Sequence, residues 1–189
     1  MRRFLYAALV VGFALITPAF AQDAKNPRVV IDTNLGKITI ELNAEKAPIT
    51  VKNFLQYVDD KHYDGTIFHR VMADFMIQGG GFDQDMKNKE TREPIKNEAD
   101  NGLSNVRGSI AMARTGDPDS ATAQFFINTV DNKRLDKSEE NAGYAVFGKV
   151  TAGMDVVDKI RRVDVVDQGG AFQNLPSPVI VIRSVRRVK

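Results

Sequence analysis

Eight short runs of strand-forming residues, separated by loops rich in Gly, Asn and Asp, leave the chain few options other than a mainly β frame. They fall at 29–33, 37–42, 67–71, 75–78, 109–113, 125–129, 145–150 and 179–188. The second alternates cleanly, with Ile38, Ile40 and Leu42 on one face and Lys37, Thr39 and Glu41 on the other. Asn34-Leu35-Gly36 joins it to the first run, so a hairpin opens the fold. In the last run Val179, Ile180, Val181 and Ile182 are apolar on both faces, which predicts a core on one side and a helix on the other. Two helical patterns interrupt the strands. Pro48 sits where a first-turn proline is tolerated, and Val51, Phe54, Leu55 and Val58 form a single apolar stripe. Met154, Val157 and Ile160, with Val156 alongside, repeat the pattern after Gly153. Short strands with two helices predict a closed antiparallel barrel capped by helices, because closure removes sheet edges. A sandwich fits the same pattern.

The N-terminus reads as an address rather than as structure. Arg2 and Arg3 precede an apolar run of 13 residues, Phe4 to Ile16, and Ala19-Phe20-Ala21 supplies a small-x-small cleavage site. A membrane-spanning helix needs roughly 20 such residues. Residues 1–21 are therefore expected to be a cleaved signal peptide, and 22–189 a single domain with no membrane attachment after cleavage. Removing 21 of the 189 residues leaves 168, enough for one sizeable core. The chain carries 26 basic and 24 acidic residues, and loss of Arg2 and Arg3 balances them, so bulk charge does not point to nucleic acid. The sequence has no cysteine, which excludes disulfides, thiol catalysis and zinc-thiolate sites. It ends Arg186-Arg187-Val188-Lys189 without a KDEL-type signal, so the expected destination is a bacterial periplasm.

Most familiar catalytic devices are missing. His62 and His69 lack the i, i+4 spacing of a helical metal pair, and no metal or cofactor is expected. Taken alone, His69 reads as a hydrogen-bonded structural residue of a strand. No G-x-S-x-G elbow marks a serine nucleophile. Gly79-Gly80-Gly81 lacks a following Lys-Ser/Thr pair, and reads as a strand exit that needs permissive torsions. The acidic pairs Glu139-Glu140 and Asp117/Asp119 lie in polar loops. An enzyme built from this chain must work without metal, thiol or an obvious acid–base pair.

Two segments are more specific. The stretch 68–80, Phe-His-Arg-Val-Met-Ala-Asp-Phe-Met-Ile-Gln-Gly-Gly, resembles the cyclophilin signature F-H-R-x-x-x-x-F-M-x-Q-G-G, and Gln124-Phe125-Phe126-Ile127 resembles that family's Q-F-F-I strand. Residues 108–113 and 146–150 are similar to further cyclophilin strands in the expected order, so the likeness spans about 29–188. It implies an eight-stranded antiparallel barrel with a helix over each end, and a peptidyl-prolyl cis/trans isomerase with a groove on the outer surface. By the same resemblance Arg70 is the catalytic residue and Gln78 holds the substrate backbone. Phe75, Met76, Phe126 and Leu135 form the proline pocket, and Ala113, Arg114, Gln124 and Tyr144 line the rest of the groove. The implied partners are proline-containing flexible polypeptides; the residues themselves make a monomer the default, because no unexplained apolar helix stripe remains.

Strand geometry supports part of this independently: Met76 and Gln78 share a face, whereas Phe125 and Phe126 point to opposite sides. Without the family context Phe126 reads as core and Arg70 as a half-exposed strand arginine. The sequence departs from many cyclophilins at Arg134, where they carry tryptophan, and at Tyr144, where they carry histidine. These changes resemble the bacterial periplasmic branch. The rival readings are a non-catalytic peptide-binding chaperone that uses the same groove, and a barrel holding an apolar ligand inside.

Overall fold

The computed structural model describes residues 26–188. The expected signal peptide, and the junction after Ala21, lie outside the described residues.

The chain forms β1 (Arg28–Thr33), β2 (Gly36–Leu42), α1 (Pro48–Asp59), β3 (Thr66–Met72), β4 (Met76–Asp83), β5 (Ser109–Met112), β6 (Phe125–Asn128), β7 (Val146–Ala152), α2 (Met154–Ile160), β8 (Val165–Val166), β9 (Leu175–Pro176) and β10 (Ile180–Arg187). Eight of the strands close into an antiparallel barrel in the order β1-β10-β3-β4-β6-β5-β7-β2, while β8 and β9 make a separate two-stranded ribbon. The barrel, not the sandwich, is the correct choice between the two patterns the sequence left open.

The alternation read from the sequence sets the interior. Ile38, Ile40 and Leu42 of β2 join Val29, Ile31, Phe68, Ile77, Phe125, Ile127, Phe147, Ile180 and Ile182 in one buried cluster. The stripe of α1 enters the same cluster through Val51, Phe54, Leu55 and Val58, and α2 through Val156, Val157 and Ile160. Phe54 holds the aromatic centre. Its ring lies 5.1 Å from Tyr63, 5.2 Å from Phe147 and 5.7 Å, edge-on, from Phe125. These side chains fill the barrel, which removes the reading of a hollow ligand carrier. The helices direct their apolar faces into this interior. The expected helix over the outer face of the last strand is therefore corrected: Ile180 and Ile182 point inward, and Val181 is left half-buried outside.

Helix α1 has no side-chain cap of its own, since Ala47 precedes it. Glu98 from a distant loop substitutes, accepting from the backbone N–H of Ile49 (3.1 Å) and Thr50 (2.8 Å) and from the Thr50 hydroxyl (2.7 Å). A carboxylate at a helix N-terminus satisfies free donors and meets the positive end of the dipole. Gly153 enters α2 with φ +88, and a Cβ there would sit 2.2 Å from the Lys37 carbonyl, so only glycine allows α2 to close on β2.

Replacing Phe54→Ala is expected to cost about 3–5 kcal/mol. Urea unfolding followed by far-UV circular dichroism measures it, and a midpoint equal to the parent's would remove Phe54 from the centre of the core.

Candidate active site

Strand β3 carries one residue too many for a regular ladder. Phe68 pairs with Gly79 and Arg70 with Gln78, so His69 and Arg70 together oppose a single residue of β4. Such a bulge reverses the side on which later residues emerge. Phe68 faces the interior, and in an unbroken strand Arg70 would follow it there. The bulge turns Arg70 outward instead. Register then carries one outward rank across five strands, because Arg70 lies opposite Gln78, Gln78 opposite Phe126, Phe126 opposite Ala111 and Ala111 opposite Val146. Phe125 and Ile127 flank Phe126 from the inner face, as the alternation predicts.

A hollow of about 340 Å³ lies on this outer wall. Arg70, Gln78, Phe75, Met76 and Phe126 line one part of it, and Ala113, Arg114, Leu135 and Tyr144 the rest. Gln124 adjoins rather than lines it, but accepts a 3.0 Å hydrogen bond from the Gln78 amide. All ten expected groove residues are thus brought together. The floor is a second buried apolar cluster of Met76, Ala111, Phe126 and Val146, separate from the barrel core. Phe126 meets Tyr144 edge-on at 5.7 Å.

The two arginines of the groove are held very differently. Arg114 stacks on Tyr144 at 4.4 Å and donates to the carbonyls of Gly143 (3.0 Å) and Thr115 (2.8 Å), so it is committed to the wall. Among the described residues no carboxylate pairs with the half-buried guanidinium of Arg70. A cation left without a counter-ion at the edge of an apolar hollow is available to whatever enters.

Two expectations are corrected here. The glycine run is not a strand exit, since 79–81 lie within β4. Close approach is the reason for them: a Cβ on Gly79 would stand 2.8 Å from the Ile67 carbonyl, and one on Gly81 would stand 2.4 Å from the Gln124 amide. Gly81 therefore makes the space that Gln124 occupies. His69 is buried, but its Nδ1 has no hydrogen-bond partner among the described residues. It packs instead edge-on against Phe82, 4.7 Å away. Burial, and then the charge of Arg70, push its pKa down to about 4, so the ring is neutral at neutral pH.

Behind the hollow runs a polar network that pattern reading did not find. The Asn132 side chain donates to the Phe75 carbonyl (2.7 Å) and to Asn128 Oδ1 (2.8 Å). Asn128 donates in turn to Asn105 Oδ1 (3.1 Å) and to the Ser109 hydroxyl (2.8 Å), and Asn105 donates to the Tyr144 carbonyl (3.2 Å) and to Asp136 (2.9 Å). Burial pushes the Asp136 carboxyl up, but hydrogen bonds from Ser104 and from the Asn105 backbone and side chain outweigh it and hold the group below the usual carboxylate range. Three separate segments that supply Phe75, Leu135 and Tyr144 are tied together in this way. Arg134 lies 4.9 Å over the ring of Phe75, one of the residues that line the hollow. The available sequence signal was an asparagine closing the buried run Phe125-Phe126-Ile127-Asn128, a type that rarely sits in a core unpaired.

The arrangement is that of a closed eight-stranded barrel with a groove on its outer wall, where a cation without a carboxylate partner among the described residues adjoins an aromatic-lined hollow. More narrowly, residues 28–187 match the family described as cyclophilin type peptidyl-prolyl cis-trans isomerase/CLD, and the chain belongs to that family. It is 51% identical over 191 residues to peptidyl-prolyl cis-trans isomerase A of Dickeya dadantii, covering 100% of each chain. It is 56% identical over 160 residues to peptidyl-prolyl cis-trans isomerase B of Escherichia coli, covering 83% of this chain and 97% of the other. Among solved structures it resembles a cyclophilin type peptidyl-prolyl cis-trans isomerase of Cryptosporidium parvum, crystallised in the presence of the dipeptide Ala-Pro. That match has a TM-score of 0.73 at 27% identity and covers 86% of this chain and 99% of the other.

Substituting Asn132→Ala leaves buried Asn128 Oδ1 without its donor and is expected to destabilise the fold by about 1–3 kcal/mol. Chemical denaturation measures the cost, and amide NMR shifts at Phe75 and Met76 should move with it. Unchanged shifts would show that the network does not hold the pocket.

Proposed function

We propose that this protein is a cofactor-independent peptidyl-prolyl cis/trans isomerase that acts on X-Pro bonds of exported polypeptides and assists their folding in the periplasm. The single observation that carries the catalytic reading is the rank Arg70–Gln78–Phe126, which sets a guanidinium without a carboxylate partner among the described residues beside a hollow with an apolar floor.

Rotation about an X-Pro bond faces a barrier of about 18–20 kcal/mol, because the nitrogen shares its lone pair with the carbonyl. Twisting ends that sharing, so the nitrogen becomes pyramidal and basic. A guanidinium against it donates a hydrogen bond far better to the twisted state than to the planar one. Arginine suits the role because it keeps its charge beside Phe75, Met76 and Phe126, where a lysine could shed a proton. A donor aimed at developing charge contributes roughly 2.7–4 kcal/mol. The twisted amide is also less polar than the planar one, so Phe75, Met76, Phe126 and Leu135 favour it relative to the ground state. Gln78, braced by Gln124, holds the neighbouring backbone so that one side of the bond turns. Ala113, Arg114 and Tyr144 complete the wall. No bond to the substrate forms, so neither nucleophile nor metal is required. All of these groups come from one chain, and a monomer suffices.

Arg70→Ala is expected to lower kcat/KM on an X-Pro peptide by about a hundredfold to a thousandfold, with the peptide Kd kept within about threefold. An NMR exchange assay and a binding titration measure the two. The rival reading, a groove that binds polypeptide without catalysis, would be favoured by a wild-type protein that binds the peptide and accelerates nothing.

Export rests on Arg2, Arg3, the apolar run to Ile16 and the Ala19–Ala21 site. Intact mass of the protein recovered from a periplasmic extract should place the N-terminus at Gln22, whereas a full-length chain pelleting with membranes would overturn this assignment.

A further inference from the structure

A second hollow, of about 380 Å³, adjoins the first and shares Arg70 and Gln78 with it. His69, Phe82, Ala171 and Gln173 supply its other walls, with Gln124 at the boundary. Apart from Arg70, Gln78 and Gln124, none of its lining residues enters the chemistry assigned to the proline pocket. His69 is the extra residue of the β3 bulge, is 2% exposed, and leaves Nδ1 buried without a partner among the described residues. The ring is not free to turn away, because Phe82 holds it edge-on at 4.7 Å and Phe172 stands 6.3 Å off.

We infer that this hollow is a further substrate subsite, which takes the amide or hydroxyl side chain of a residue flanking the proline. The chemistry of the walls selects that class. Among the described residues no carboxylate lines the hollow, so a lysine or arginine would gain no partner and would meet the charge of Arg70 instead. An aspartate or glutamate would draw the Arg70 guanidinium away from the proline nitrogen. The carboxamides of Gln78, Gln124 and Gln173 offer donors and acceptors to an uncharged polar group. Phe82 and Ala171 accommodate its carbon stem. The subsite rests on the isomerase reading above and extends it to the sequence around the proline.

The test compares peptides in which each residue flanking proline is in turn Ala, Asn, Lys or Asp, assayed by NMR exchange with wild type, Ala171→Phe and Gln173→Ala. Ala171 is exposed, so the larger side chain closes the hollow from its rim without entering the core. At one flanking position wild type should prefer Asn over Ala by about fivefold in kcat/KM, the worth of one net hydrogen bond. The same preference should fall to near unity in Ala171→Phe and at least halve in Gln173→Ala. A flat series in wild type, a preference for Lys or Asp, or an Asn preference that survives Ala171→Phe would overturn the subsite. Turnover of the all-Ala peptide separates the two readings: its absence in wild type would sink the isomerase assignment itself, whereas its presence with a flat series sinks only the subsite.

Discussion

One inserted residue in β3 governs the site. A strand alternates its side chains strictly, so Phe68 in the barrel core would commit Arg70 to the core as well. A guanidinium there, without a carboxylate, would be expelled by its own desolvation cost. The bulge at His69 lets the same strand pack Phe68 inside and present Arg70 outside, in register with Gln78 and Phe126. Regular pairing then resumes, and Val71 opposite Ile77 returns to the core.

The charges of the surface make the isolation of Arg70 more pointed. Arg107 and Arg161 both bond Asp158, Arg186 pairs with Asp64 and Arg187 with Asp59. These exposed or half-exposed pairs contribute little each, but together they fasten α2 and β10 at the barrel margin. The groove is the contrasting case. Arg114 and Arg134 are laid across aromatic rings and Arg70 is left to line the hollow, so among the described residues the other arginines of the wall are stacked and Arg70 is not.

The barrel was legible because its strands announce themselves by what they bury: every second residue of 37–42 is apolar, and α1 and α2 show one stripe each. What escaped reading has a common cause, which is that it depends on pairing partners far along the chain. The β8–β9 ribbon has two residues per strand, too few to display a period. Three glycines look like punctuation until Ile67 and Gln124 are placed against them. The bulge leaves no mark in residue type, so pattern alone read Arg70 as an ordinary strand arginine and Phe126 as core, and it was the family likeness that picked them out. The asparagine network joins 105, 128, 132 and 136 across separate loops, and only assembled loops reveal it.

Because the interior is packed solid with Phe54, Phe125 and Phe147, nothing is threaded through this barrel. The groove is instead laid along its outside, where a chain can be met broadside. On the proposed reading, a segment in the middle of a long polypeptide, with both ends still occupied elsewhere, settles on the wall and leaves again without an end ever passing through an opening.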